Sequence, residues 1–121
     1  MKINIIAEIG WNFMGDLSLA KEMISSASKS GANTCKFQYW NPKNLKPGAW
    51  DSDGRRQIYE KAKLDDSKIT DLKSICLDNN VNFLLSFFYH NNSKKMHELG
   101  MDSIKIPSHE SYNINLHQFC I

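Results

Sequence analysis

Long apolar runs are missing from these 121 residues: no stretch approaches the roughly 20 consecutive apolar residues needed to cross a bilayer, so no membrane partner is expected. Clustered charge of one sign is missing too. The 15 basic and 13 acidic residues leave a net charge of +2, and the basic pairs Arg55-Arg56 and Lys94-Lys95 stand far apart. A nucleic-acid footprint gathers basic residues on one face, so no nucleic-acid partner is expected either. Cysteine is scarce: Cys35, Cys76 and Cys120 are widely separated and form no Cys-x-x-Cys pair. An odd count without secretory context argues against a disulfide framework and fits a reducing cytoplasm, the expected location. Met1-Lys2 leads into only a short apolar stretch before Glu8, which does not read as a signal peptide. No Gly-x-Gly-x-x-Gly follows the first apolar run, which argues against a dinucleotide-binding fold. His90, His97, His109 and His117 have no spacing that compels a metal site, and none of them is assigned as a ligand.

What is present is a repeated strand and helix pattern. Residues 3 to 8 read as a buried strand. Asp16 can cap a helix in which Ala20, Met23, Ile24 and Ala27 recur at i, i+3, i+4 and i+7, an apolar stripe suited to lie on a sheet. Gly31 closes it, and a second strand runs from Asn33 to Gln38. Such close spacing favours parallel β/α units, because a parallel return needs a crossover helix. From Tyr39 to Lys63 the pattern lapses into turn signals around Trp40, Trp50 and Tyr59. A loop of that length is functional or mobile, and the aromatics favour a substrate-covering loop over a disordered insertion. A second helix begins near Asp66 and ends at Asn79-Asn80. Val81 to Phe88 is a nearly continuous apolar strand, as expected where both faces are covered. A short helix from Ser93 to Leu99, a fourth strand from Asp102 to Pro107 and the start of another element follow. The fold class is therefore α/β with about four parallel β/α units. Half of an eight-stranded barrel and a complete four-stranded open sheet both fit; the half barrel would leave two open edges, an aggregation liability.

Each strand ends in polar groups. Glu8 closes the first, Lys36 and Gln38 share a face of the second, Ser86 interrupts the third, and Lys105 interrupts the fourth. Ser108 and Glu110 follow Pro107, and Asn12 and Asn41 could reach the same rim from loops. A lone lysine near a strand end is often a snorkelling surface residue. Four strands doing this together point to one shared site at the end of the sheet where α/β folds build active sites. Two lysines with Gln38 and Ser108 suit a phosphate or carboxylate. Glu8 and Glu110 suit sugar hydroxyls, proton transfer or a share in metal binding. His97 reads as a surface residue, and His109 as a candidate substrate contact. Cys35 and Cys76 read as small buried hydrophobes.

Ile5-Ile6-Ala7-Glu8-Ile9-Gly10-Trp11-Asn12, then Gly15-Asp16-Leu17, Ser30-Gly31-Ala32, Lys36-Phe37-Gln38, the run Phe83 to Phe88, Leu99-Gly100 and Lys105-Ile106-Pro107-Ser108-His109-Glu110 together resemble the opening of the sialic acid synthase family. That family contains N-acetylneuraminate, legionaminate and pseudaminate synthases, and the likeness runs over nearly all of the sequence. It implies the N-terminal half of a (β/α)8 TIM barrel over residues 1–121, with the second half of the barrel and a C-terminal antifreeze-like domain absent. It implies a transferase that condenses phosphoenolpyruvate with an N-acetylated hexosamine such as N-acetylmannosamine, yielding a nine-carbon 2-keto sugar acid and phosphate. It also implies a homodimeric full-length enzyme needing a divalent metal, Mn or Mg, whose two histidine ligands belong to the missing half. By resemblance Glu8 and Glu110 are catalytic, Glu8 holding sugar hydroxyls and Glu110 lying near the reacting carbons. Lys36 and Gln38 face phosphoenolpyruvate, Ser108 joins its anion site, and Lys105 matches a lysine ending the fourth strand. Asn12 and Ser86 complete the substrate-binding set.

Three departures from the family pattern bear on the acceptor sugar more than on the reaction class. Asn12-Phe13 replaces the usual Asn-His, which is expected to cost a polar rim group. Leu85-Ser86-Phe87-Phe88 replaces Ser-Thr-Pro-Phe but keeps a hydroxyl. His109 stands where glycine is common and is expected to narrow the sugar pocket. The alternatives are a 3-deoxy-octulosonate-phosphate synthase-like condensing enzyme and a degenerate, non-catalytic fragment. The 121 residues alone are expected to be inactive.

Overall fold

A computed structural model describes residues 3–88 and 93–120. Four strands, β1 (Ile6–Gly10), β2 (Thr34–Tyr39), β3 (Asn82–Phe87) and β4 (Ile104–Lys105), form one sheet in the order β1-β2-β3-β4, with every neighbouring pair parallel. Between them run α1 (Leu17–Lys29), α2 (Arg55–Ala62), α3 (Asp66–Asp78) and α4 (Ser93–Glu98), and α5 (Ile114–Phe119) follows β4. Sequential order with uniform parallel pairing is the winding of a (β/α)8 barrel. The chain folds as its N-terminal four units.

Local chemistry starts the helices. The Asp16 carboxylate accepts from the Ser18 and Leu19 amides at 2.8 and 3.2 Å, and Asp65 accepts from Lys68 at 2.9 Å, so α1 and α3 each begin on a side-chain cap. Such a cap contributes about 1 kcal/mol. The two helices are tied at their far ends where the Ser28 hydroxyl donates to the Asn79 carbonyl at 2.7 Å. The expected boundaries of α1, β2, α3 and β3 lie within a residue or two of those observed.

Register divides the side chains into two sets, because partners in a parallel ladder share a face and neighbours along a strand alternate. Ile6, Thr34 and Asn82 align; so do Glu8, Lys36 and Leu84, and beyond them Gln38, Ser86 and Lys105. The other face carries Ala7, Cys35, Phe37, Tyr39, Phe83, Leu85 and Phe87. It packs against α1 and α3 through Ile24, Ile69, Leu72 and Cys76, all at most 1% exposed. Phe37 is central: it stacks on Phe83 at 5.5 Å and meets Phe13 edge-on at 5.9 Å.

Three expectations are corrected. Phe13 does not lie where a polar rim group is lost. The ladder is irregular between Glu8 and Gly10, and the turn after β1, with Met14 at φ 50°, folds Phe13 into the core at 0% exposure. The stretch from Tyr39 to Lys63 is not a structureless loop: it contains the 3-10 turns Pro42–Asn44 and Ala49–Asp51 and the eight-residue helix α2. Strand β4 is only two residues long, short of the expected span from Asp102 to Pro107. The short helix expected before it starts at Ser93, and the side chains of Ser93 and Lys94 lie outside the described residues, as does His90.

Candidate active site

The face opposite the helices concentrates polar groups at the C-terminal ends of the strands. Lys36, in the middle of β2, has a side chain only 11% exposed. An ammonium so placed needs partners. It has two: an ion pair to the Glu8 carboxylate on β1, and a hydrogen bond donated to Ser86 Oγ on β3 at 3.1 Å. Three adjacent strands thus hold one cation, and one of its three N–H donors stays uncommitted among the described residues. Glu8 is the accessible member of the pair, its side chain 50% exposed.

Gly10 lets the polar groups converge. A Cβ at this position would stand 3.4 Å from Glu8 Oε1, 3.8 Å from Gln38 Nε2 and 3.9 Å from Asn12 Nδ2, and the backbone has φ +60°. Asn12 is held by its own amide, which donates to the Ile9 carbonyl at 3.0 Å. Lys105 pairs in register with Ser86 and so stands beside it on the same face, exposed. Glu8, Lys36, Ser86, Gln38 and Asn12 form one cluster, with Lys105 at its edge.

Ser108 and Glu110 are placed differently. They lie on a 3-10 turn just beyond β4, Ser108 exposed and Glu110 6% exposed. The Glu110 carboxylate accepts from Asn113 Nδ2 at 2.6 Å and lies 3.9 Å from His109 Nε2, rather than joining the Lys36 cluster. His109 turns outward to lie against Phe88, ring centres 4.8 Å apart. His97 is exposed.

A feature not anticipated as a unit is a cavity of about 230 Å³ lined by Trp11, Gln38, Trp40, Leu45, Trp50, Tyr59, Phe88 and His109. Tyr59, from α2, meets Trp11 and Trp40 edge-on at 4.9 and 4.8 Å. Gln38 belongs both to this cavity and to the polar cluster. All three tryptophans of the chain line it, and that concentration in the segments after β1 and β2 is the sequence signal that could have revealed it.

Cys35 and Cys76 lie on the helix-covered side. Burial pushes the Cys76 thiol up to about 12, with Cys35 beside it adding to the rise, so neither supplies a thiolate nucleophile at neutral pH. Among the described residues no three His, Cys, Asp or Glu side chains come together, so this donor set does not fit a divalent metal centre. No described helix is long and apolar enough to cross a membrane.

A parallel β/α half barrel with charged and amide groups gathered on the rim of three strands defines a class of α/β enzyme scaffold. Within it, the chain belongs to the NeuB family, whose model matches residues 23–120. It is 36% identical to an N,N'-diacetyllegionaminic acid synthase of Campylobacter jejuni, over 93% of this chain and 37% of that protein. It is 30% identical to the synthase of the same name from Legionella pneumophila, over 96% of this chain and 36% of that protein. An N-acetylneuraminic acid (sialic acid) synthetase structure from Leptospira borgpetersenii superposes with a TM-score of 0.81 at 29% identity, covering 99% of this chain and 41% of that one. The chain therefore spans a little over a third of the length of these curated relatives.

Proposed function

We propose that this chain is the donor-binding half of a sialic-acid-type synthase that condenses phosphoenolpyruvate with an N-acetylated hexosamine, releasing phosphate and a nine-carbon 2-keto sugar acid. The observation that carries this reading is Lys36, fixed between Glu8 and Ser86 at the rim, in a chain whose relatives are named as synthases of such acids. The Glu8–Lys36 pair is neutral as a whole, so a polyanionic donor needs further positive charge. Lys105 beside Ser86 supplies it.

In this scheme the free N–H of Lys36, the Gln38 amide and Lys105 hold the carboxylate and phosphate of the donor, with Ser108 joining from the turn after β4. Charge-assisted bonds of this kind fix an anion more firmly than neutral ones. Glu8 and Asn12 take hydroxyls of the open-chain sugar. Held together, donor C3 attacks the aldehyde carbon, water adds at C2, and the tetrahedral intermediate expels phosphate. Orientation of two reactants in one cavity supplies much of the acceleration. Glu110, on the turn after β4 with its carboxylate kept in place by Asn113, is proposed to reach the reacting carbons once both substrates are bound. These residues do not make a metal centre, and no step is assigned to one.

Catalysis is proposed to require the second half of the barrel. The test is phosphate release from phosphoenolpyruvate and N-acetylmannosamine, run in parallel on the 121 residues and on a version completed to the full length of its relatives. Metal-dependent release is expected only from the completed protein. Release by a soluble monomer of 121 residues would overturn the need for a second half, and none from the completed protein would overturn the synthase reading.

A further inference from the structure

We propose that the two open edges of this half barrel are an interface for a second copy of the same chain, two copies closing into one eight-stranded barrel about a two-fold axis. This holds whatever reaction the rim supports. A compact monomer of this mass exposes about 6,700 Å², whereas this chain exposes 7615 Å². The surplus of about 900 Å² matches the roughly 800 Å² that each partner contributes to a standard protein interface. Apolar side chains mark the edges as its place: Ile3, Ile5 and Ile6 are exposed along β1 and its approach, and Tyr112 and Ile114 just past β4.

β1 and β4 are the end strands of the sheet, each with a row of backbone N–H and C=O groups turned outward. Natural edges are guarded by lysine, proline, a bulge or brevity. From Ile3 to Gly10 there is no lysine or proline, and the ladder is irregular only between Glu8 and Gly10. β4 pairs through Ile104 and Lys105 alone, although the strand pattern runs from Asp102 to Pro107, so a neighbour on its open side would complete it. The two edges also match in charge. β1 carries the half-exposed Glu8 carboxylate and β4 the exposed Lys105, on the same face of the sheet. A two-fold rotation that lays β4 of one copy beside β1 of the other forms both seams at once. It keeps every strand parallel and sets opposite charges at each seam, an isologous and closed arrangement. Four strands from each copy give eight, the number at which a parallel barrel fills its interior with its own side chains.

The test is sedimentation equilibrium of the 121-residue chain, which is expected to form a discrete dimer in reversible exchange with monomer. Monomer alone at high micromolar concentration overturns the proposal. So does an open-ended series of larger species, the mark of contacts that do not close. Ile5→Lys and Ile114→Lys each place an unpaired ammonium at a seam and are expected to weaken the dimer by at least about tenfold. Leu77→Lys, on α3 away from both edges and 76% exposed, is expected to leave it unchanged. A dimer that both edge variants leave intact, or that Leu77→Lys weakens as much, overturns the placement at the edges. Hydrogen exchange of the unsubstituted chain tests the same seam even where a variant fails to fold. The amides of Ile6 and Glu8 alternate with the Ile5 carbonyl that β2 engages, and so lie on the open side of β1. They are expected to exchange more slowly as the chain is concentrated, and exchange independent of concentration overturns the seam.

Discussion

On the helix-covered face of the sheet, Cys35, Phe37, Leu85 and Phe87 are fully buried among Phe13, Ile24, Ile69 and Leu72. On the opposite face of the same strands, Ile6 is 49% exposed, Lys36 is held by Glu8 and Ser86, and Lys105 is open to solvent. The backbone is shared, so the difference lies in what each face is asked to do. The first is an ordinary close-packed core. The second holds a nearly buried charge that hydrophobic packing alone would not select, on the face that also carries Glu8, Gln38 and Ser86. Apolar packing and the candidate site are carried by alternate residues of the same strands.

That division can be broken by substitution. The largest effect is expected on the covered face: Phe37→Ala removes the ring joining Phe13 to Phe83 and should cost about 3–5 kcal/mol in urea unfolding. A loss below about 1 kcal/mol would mean that this face is not the continuous core described. One residue away, Lys36→Met keeps the hydrocarbon stem and removes the charge. It should cost about 1–3 kcal/mol, because the buried Ser86 hydroxyl loses its partner while the half-exposed Glu8 carboxylate returns to water. In the completed enzyme it should lower kcat/KM for phosphoenolpyruvate by about 10- to 100-fold, the worth of one charge-assisted hydrogen bond. Unimpaired donor use would remove Lys36 from the site.

A smaller effect should follow from Ser86→Ala, which deletes one partner of the Lys36 ammonium and leaves Glu8 in place. A hydrogen bond from a charged donor contributes about 1.5–3 kcal/mol, part of which the remaining Glu8 contact retains, so a several-fold rise in KM for phosphoenolpyruvate is expected, with kcat nearly unchanged and rescue by Ser86→Thr. No rescue by threonine would show that volume, rather than the hydroxyl, matters at this position.

The same contrast explains what could be seen in the sequence. Helices α1 and α3 were legible because each carries a capping aspartate and a 3.6-residue apolar stripe. Strands β2 and β3 were legible as short apolar runs between turn residues. The polar rim was legible because charges interrupt those runs at matching depth, and the parallel register then brings them side by side. Helix α2 escaped because its eight residues offer only Ile58, Tyr59 and Ala62 as a stripe, and it begins after Gly54 in the left-handed region at φ +87°. The burial of Phe13 depends on an irregular ladder position no residue pattern announces. The tryptophan cavity depends on segments after β1, β2 and β3 meeting in space, a non-local fact.

The last and smallest effect concerns the loop that brings Trp50 to the rim, which is anchored by charge where the sheet is anchored by packing. The Asp51 carboxyl is held below its ordinary value of 3.8, first by the Gly48 amide and then by the Arg56 side chain. Asp53 is lowered in the same way by Arg55. A carboxylate whose folded value is depressed contributes fully above the ordinary value, and that contribution fades as pH falls below 3.8 through the folded value. Both groups are solvent-exposed, so the contribution is modest and screened by salt. Since all three tryptophans of the chain line the cavity, their emission should stay constant from neutral pH down to about 4. It should then shift reversibly while far-UV circular dichroism still reports an intact sheet and helices. Asp51→Asn should reduce that acid-induced shift. Emission that moves only together with the circular dichroism would show that loop and sheet form a single cooperative unit, and the distinction between a packed scaffold and a charge-pinned rim would fall.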